Sequence, residues 1–158
     1  MLNVAVRKKF LCASPCAGVE FPARINGLFR PHYVSWSEQQ KIELHAPDYF
    51  RNVIRIVTET GLRICKEPTP MKKDRLDLDN RTVWIPDSKT PNGVAEVPLT
   101  EIAGDAFRRQ LASGGQGEYL FPSPKKPNTP KKSFNTVWRL VLRRSGVRYF
   151  RIYDLRST

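Results

Sequence analysis

Residues 48–63 read DYFRNVIRIVTETGLR. Phe50, Val53, Ile54 and Val57 fall at i, i+3, i+4 and i+7, the spacing that places apolar side chains on one stripe of a helix. The stripe predicts a core-facing helix from about Asp48 that runs into Thr60-Gly61-Leu62-Arg63. Pro68 and Pro70 must stop or kink the chain soon afterwards, because proline lacks the amide donor and crowds the preceding turn. Just upstream, Ser35 is followed three residues on by Glu38, the reciprocal capping pair of a helix start. That helix is expected to reach about His45 and to end before Pro47.

Downstream, Asp77-Leu78-Asp79-Asn80 is turn chemistry. Arg81–Pro86 (RTVWIP) then alternates like a strand, with Val83 and Ile85 on one face. Val94–Leu99 (VAEVPL) reads as a second strand, and Pro91-Asn92-Gly93 suits the turn between them. Thr100 can cap a helix to about Leu111, with Ala103, Ala106, Phe107 and Leu111 inward. Ser113-Gly114-Gly115 breaks it. A proline- and lysine-rich loop follows, from Leu120-Phe121-Pro122 through Lys132. Ser133 starts another helix, with Phe134, Val137, Trp138 and Val141 inward, Arg139, Arg143 and Arg144 on its other face, and Gly146 at its C-cap. Leu2–Ala13 reads as a short separate helix ended by Pro15. The order helix, helix, hairpin, helix, helix predicts a mainly helical α+β domain with a small antiparallel β-hairpin or sheet.

A chain of 158 residues fits one domain with a short appendage, and 40% hydrophobic residues with three tryptophans argue against a disordered chain. The formal net charge of +12 and pI of about 10.0 call for a polyanionic partner, nucleic acid before an anionic membrane. Cys12, Cys16 and Cys65 lack the paired spacing of a zinc site, and only His32 and His45 could assist them. They read as reduced thiols of an intracellular, cytoplasmic protein. No apolar run approaches membrane-spanning length. Arg7, Lys8 and Lys9 sit in the middle of the apolar start, where a signal peptide would carry its charge first.

Three cationic residues stand out by context: Arg63 at the end of the amphipathic helix, Lys89 at the hairpin tip, and Arg156 at the start of a last helix. Phosphoryl transfer needs donor-rich positive groups around the equatorial oxygens and an acid for the leaving oxygen. Arginine forks suit the first task and a lysine ammonium the second. By context alone the trio is thin, because most of the 27 Lys and Arg of such a chain are solvated surface. Trp36, Trp84 and Trp138 read as core or near-surface packing rather than base-stacking platforms. The pairs Lys125-Lys126 and Lys131-Lys132 fit phosphate contact and a solvated loop equally well.

The order and wording of these stretches resemble the tyrosine recombinase (phage integrase) family. The matching segments are TGLRICKE around Arg63, DLDNRTVWIP, DSKT around Lys89, VPLT closing the hairpin, LFPS at Phe121 and YFRIYDLRST at the end, against the family pattern T-G-L-R, S-K-T and H-D-L-R-H-T. The resemblance implies a partial recombinase catalytic domain over residues 34–158, incomplete at its C-terminus. It makes residues 1–28 the remnant, with linker, of a preceding DNA-clamping helical domain. It implies that Arg63 and Arg156 clamp the scissile phosphate, that Lys89 protonates the leaving 5′ oxygen, and that Tyr153 stands where the family has histidine. Arg139, Arg143, Arg144, Lys125 and Lys126 are then candidate DNA contacts. The partners implied are double-stranded DNA and other recombinase protomers, with no membrane, metal or cofactor and a prokaryotic, nucleoid-associated location.

Three departures accompany the resemblance. One extra position after Arg63 makes Glu67, rather than Lys66, the family's carboxylate. Pro68 and Pro70 interrupt a segment usually helical. Tyr33, Tyr49, Tyr119, Tyr149 and Tyr153 all precede Arg156, so none matches the family's nucleophile, and a truncated core with exposed apolar surface and poor solubility is expected. The alternatives are a non-catalytic DNA-binding remnant or competitor, and, further off, a basic RNA-binding protein.

Overall fold

The computed structural model describes residues 6–14, 32–86, 95–115 and 117–157. The chain divides into two compact units, Met1–Arg30 and Pro31–Thr158. In the first, Val6 and Arg7 are helical and residues 8–13 form turns and bends. The helix expected through Ala13 therefore stops early. Lys9 takes a left-handed φ of 58° with its N–H on the Val6 carbonyl, and a side-chain-bearing residue in that conformation does not continue a right-handed helix.

The larger unit opens with α1 (Trp36–His45) and α2 (Asp48–Thr60). Ser35 caps α1 as its sequence predicts. The Ser35 hydroxyl accepts the Glu38 N–H at 3.3 Å, and Glu38 Oε2 accepts the Ser35 N–H at 3.0 Å. His45 closes the helix, its ring Nδ1 lying 2.9 Å from the Lys41 carbonyl. α2 buries Phe50, Val53, Ile54, Ile56 and Val57 completely or nearly so, and ends at Gly61, whose φ of 66° suits a residue without a Cβ.

Strands β1 (Leu76–Asp77), β2 (Thr82–Ile85) and β3 (Ala95–Pro98) form one antiparallel sheet in that order. The sequence showed β2 and β3. β1 was hidden because Asp77 reads as turn chemistry, and it is: its side chain accepts from Asn80 N–H and Nδ2 while its backbone pairs with Thr82. Val83 and Ile85 face the core as the alternation requires. α3 (Glu101–Ser113) is capped by Thr100 and packs along α2. The buried amides join the two helices, Asn52 donating to Gln110 at 3.3 Å and Gln110 donating to the Leu120 carbonyl at 3.1 Å.

α4 (Asn135–Ser145) begins two residues after the expected start, with Phe134 at its N-cap and the Ser133 hydroxyl accepting the Asn135 N–H. Trp138 is buried against Phe50 and Phe150, and its indole N–H donates to the Phe150 carbonyl at 2.9 Å. Trp36 and Trp84, expected in packing roles, are 63% and 47% exposed. No helix among the described residues is long and apolar enough to cross a membrane.

Replacing Trp138 tests this core. Trp138→Ala is expected to cost about 3–5 kcal/mol in urea unfolding, through the cavity and the lost ring contacts. Trp138→Phe should cost about 1–3 kcal/mol, because the Phe150 carbonyl then loses its donor. An unchanged stability in Trp138→Phe would mean that the indole bond contributes nothing. A second expectation concerns pH. The Glu38 carboxyl is held below its ordinary value, chiefly by the Ser35 N–H, against partial burial and with help from the Ser35 hydroxyl and His32. A depressed carboxyl stabilises the fold when ionised, so this contribution is present at neutral pH and lost as pH falls through the carboxylate range. Melting of Glu38→Gln should approach that of the parent as the solution is acidified; a gap independent of pH would refute the assignment.

Candidate functional site

The strand of chain that leaves α2 sets the first candidate residue. Leu62 and Ile64 are buried, 4% and 3% exposed, so the intervening Arg63 turns outward and its side chain remains 37% exposed. The chain then folds back on itself. Lys66 and Glu67 donate their N–H groups to the Arg63 carbonyl, and the Thr69 N–H and hydroxyl both reach the Ile64 carbonyl. Glu67 closes the loop. Its Oε2 accepts the Arg63 N–H at 2.5 Å, and its Oε1 lies 3.4 Å from Arg63 Nη1. With its side chain only 9% exposed, Glu67 fixes both the backbone and the root of the guanidinium. Pro68 and Thr69 are buried, so the interruption read from the prolines is a packed turn.

The second candidate group lies on a 3-10 turn, Ile152–Ser157, that packs against α2. Ile152, Asp154 and Leu155 point inward. In a 3-10 turn residues i and i+3 eclipse one another, so Tyr153 and Arg156 share the outer face, and both are exposed. The buried Asp154 carboxylate is gripped by Arg151, Nη2 to Oδ1 at 3.0 Å and Nε to Oδ2 at 3.4 Å, and the Asp154 N–H returns to the Arg151 carbonyl. The preceding Phe150 ring stacks between His32 and Trp138, at centroid distances of 4.6 and 5.0 Å. A charged group and an aromatic one thus hold the turn that presents Arg156. The sequence offered only the Arg-x-x-Asp spacing as a sign of the Arg151–Asp154 pair, and nothing marked that spacing as a 3-10 register.

Arg63 and the Tyr153–Arg156 face therefore share one support, α2. Lys89 lies outside the described residues; the strands on either side of it are paired as far as Ile85 and Ala95. Arg139, Arg143 and Arg144 are exposed on α4. Lys125 and Lys126 are exposed on a loop closed by the Pro122–Pro130 bridge and by the Ser123 N–H on the Thr129 carbonyl. That loop borders an open groove which also meets Pro47 and Tyr49, at the start of α2. A helix of 13 residues is about 20 Å long, so the lysine pair and Arg63 stand toward opposite ends of α2. Among the described residues no three His, Cys, Asp or Glu side chains form a metal-holding group. Chemically, the arginine end is suited to gripping a tetrahedral oxyanion from outside the protein.

Substituting the anchors tests whether the presentation is built as described. Asp154→Ala and Glu67→Ala should each lower unfolding free energy by about 1–2 kcal/mol, because Arg151 and the Arg63 main chain lose a nearly buried charged acceptor. Unchanged denaturation midpoints would show that neither anchor holds its arginine's segment.

The sequence model of the phage integrase family matches residues 38–158. The integrase of Salmonella phage P22 is 26% identical over 171 residues, an alignment covering 100% of this chain and 42% of that protein. The chain thus spans less than half the length of that relative. Among solved structures, the Tn1549 transposon integrase in complex with circular intermediate DNA superposes with a TM-score of 0.67 at 15% identity, over 98% of this chain and 59% of that one. XerA recombinase gives 0.65 at 16% identity, over 97% and 62%. A lambda integrase tetramer bound to a Holliday junction gives 0.63 at 18% identity, over 98% and 48%. At these identities the structures show a shared fold, that of a tyrosine recombinase catalytic domain.

Proposed function

The chain belongs to the phage integrase family, and from that premise we propose that it is the phosphate-gripping part of a DNA strand-exchange recombinase and binds double-stranded DNA. The observation that carries the reading is the presentation of Arg63 and Arg156. Each is an outward arginine on a segment locked by a nearly buried carboxylate, Glu67 for one and Asp154 for the other, and both segments rest on α2. Two arginines carried on segments held in this way need little backbone reorganisation when a phosphate arrives.

In this reading Arg63 and Arg156 hold the non-bridging oxygens of the scissile phosphate. Lys89 donates the proton to the leaving 5′ oxygen. Tyr153, exposed beside Arg156, donates its phenolic hydrogen to phosphate. It stands where the family has a histidine, and it cannot accept and release a proton near neutral pH as a histidine does. The exposed Arg139, Arg143 and Arg144 extend the phosphate-binding surface. The family chemistry is attack by a tyrosine on phosphorus, forming a 3′-phosphotyrosine and freeing a 5′ hydroxyl that later reverses the step on a partner strand. The arginines and lysine supply its charge stabilisation, so no metal or nucleotide cofactor enters the proposal. That chemistry is proposed for the whole recombinase. For residues 34–158 the proposal is the binding of double-stranded DNA through these cations.

Titrating a labelled duplex at several salt concentrations tests the assignment. Each phosphate contact contributes about 0.9 to the slope of log affinity against log salt. Arg63→Ala and Arg156→Ala should each lower that slope by about one and weaken binding on the order of tenfold, with little dependence on sequence. Unchanged slopes in both would refute the clamp. A preference for structured RNA over duplex in competition would overturn the DNA reading.

A further inference from the structure

Two surfaces of the larger unit carry opposite charge, and each leaves apolar side chains open to solvent. The first is the open groove beside α4, with a volume of about 1300 Å³. Tyr49, Val137 and Leu140 contribute apolar surface to it, and Leu140 is 37% exposed. Lys125, Lys126, Lys131 and Lys132 border it. The groove is a held shape: its loop is closed by the backbone bonds described above, and Lys131 Nζ lies 5.0 Å from the centre of the Tyr49 ring.

The second surface is the outer face of the sheet. The register Asp77↔Thr82 and Trp84↔Glu96 places these four residues on the side opposite the buried Val83 and Ile85. Trp84 is 47% exposed, and Asp74 and Asp79 line the same shallow depression, with Arg75 as its one basic lining residue. In a chain with 15 acidic against 27 basic residues, four carboxylates gathered round an exposed tryptophan run against the overall charge.

We propose that the lysine-bordered groove receives the acidic, Trp84-bearing sheet face of a second copy of this chain. Each surface supplies what the other lacks. The groove has ammonium groups around an apolar floor. The sheet face has carboxylates around an aromatic side chain of the type that dominates protein–protein anchors. Duplex DNA would satisfy the lysines but would leave Val137 and Leu140 without an apolar complement. Both surfaces are built on fixed elements of the same unit, so neither can fold onto the other within one molecule. The contact is head-to-tail, using different patches on the two copies. The net charge of +12 repels copies at long range, and phosphate neutralisation on DNA relieves that repulsion, so the contact is strongest between copies sharing a duplex. In this respect the inference extends the DNA-binding reading, although the surfaces themselves do not depend on it.

Zero-length coupling with a water-soluble carbodiimide, which joins carboxylates to amines already in contact, tests the proposal on the full chain. It is run with and without a duplex long enough for two copies. The expected result is a dimeric product, enriched with duplex, whose mapped linkages join the groove lysines to Asp74, Asp77, Asp79 or Glu96. Trp84→Ala should lower its yield roughly tenfold. Lys125→Glu with Lys126→Glu should remove it, as should Asp74→Lys with Asp79→Lys, which leaves the Asp77–Asn80 turn bonds intact. Mixing the two charge-reversed chains should restore it. Melting temperatures should not change, since all these side chains are exposed. Dimeric product absent under both conditions, linkages mapped elsewhere, or no restoration on mixing would each overturn the proposal. So would a lysine variant that weakens duplex binding yet leaves the dimeric product unchanged, which would assign the groove border to DNA. Loss of duplex binding with the dimeric product intact would instead count against the DNA reading alone.

Discussion

The apolar stripe of α2 is covered from more than one direction. α3 packs along it, the 3-10 turn at Ile152–Ser157 packs against it, and Phe50, near its start, meets Phe134 and Trp138 from α4. Burying one such side chain is worth about 1.5–3 kcal/mol, so the five fully covered apolar residues of this helix place its position beyond local adjustment. A rigid α2 fixes the start of the segment that presents Arg63. The turn bearing Tyr153 and Arg156 is referred to the same helix. The distance between two chemical groups far apart in sequence is in this way set by core packing.

Each arginine is then oriented by a carboxylate. Glu67 holds Arg63 through both main chain and guanidinium, and Asp154 holds Arg151, next to Phe150, at the turn that ends with Arg156 exposed. The two acids differ in kind. Glu67 touches its arginine directly, whereas Asp154 shapes the backbone that carries Arg156. A cation at a phosphate site loses efficiency if its partner must be displaced. Asp154 anchors the backbone through Arg151, whereas Glu67 anchors both the backbone and the guanidinium of Arg63.

Charge is unevenly spread over the larger unit. Arginines stand outward on α4 and at the α2 end, lysines border the apolar groove, and carboxylates collect on the sheet around Trp84. A uniformly basic surface would serve duplex binding alone. Segregation of this kind also distinguishes one face of the unit from another.

Much of this was legible along the chain. The i, i+3, i+4, i+7 stripe from Phe50 to Val57, the Ser35–Glu38 and Thr100 caps, the glycine stop at Gly146, and the alternation around Val83 and Ile85 are local signals. Local physics obeys them: side-chain period, amide capping and left-handed φ need only near neighbours. The position of Arg63 was readable for the same reason, at the end of a recognisable helix, whereas Arg156, expected at the start of a helix, lies on a 3-10 turn. Strand β1 was not, since Asp77 serves a turn with its side chain and a sheet with its backbone. Nor was the Arg151–Asp154 grip, which depends on the segment being a 3-10 turn with Asp154 facing the core. For Trp36, Trp84 and Trp138 the sequence left core and near-surface packing open, because indole hydrophobicity says nothing of which neighbours are at hand, and burial is decided by what packs opposite. The groove between Tyr49, Leu140 and the lysine loop joins residues some ninety positions apart. Only the tertiary fold could bring those residues together, because no local rule links the start of one helix to the middle of another.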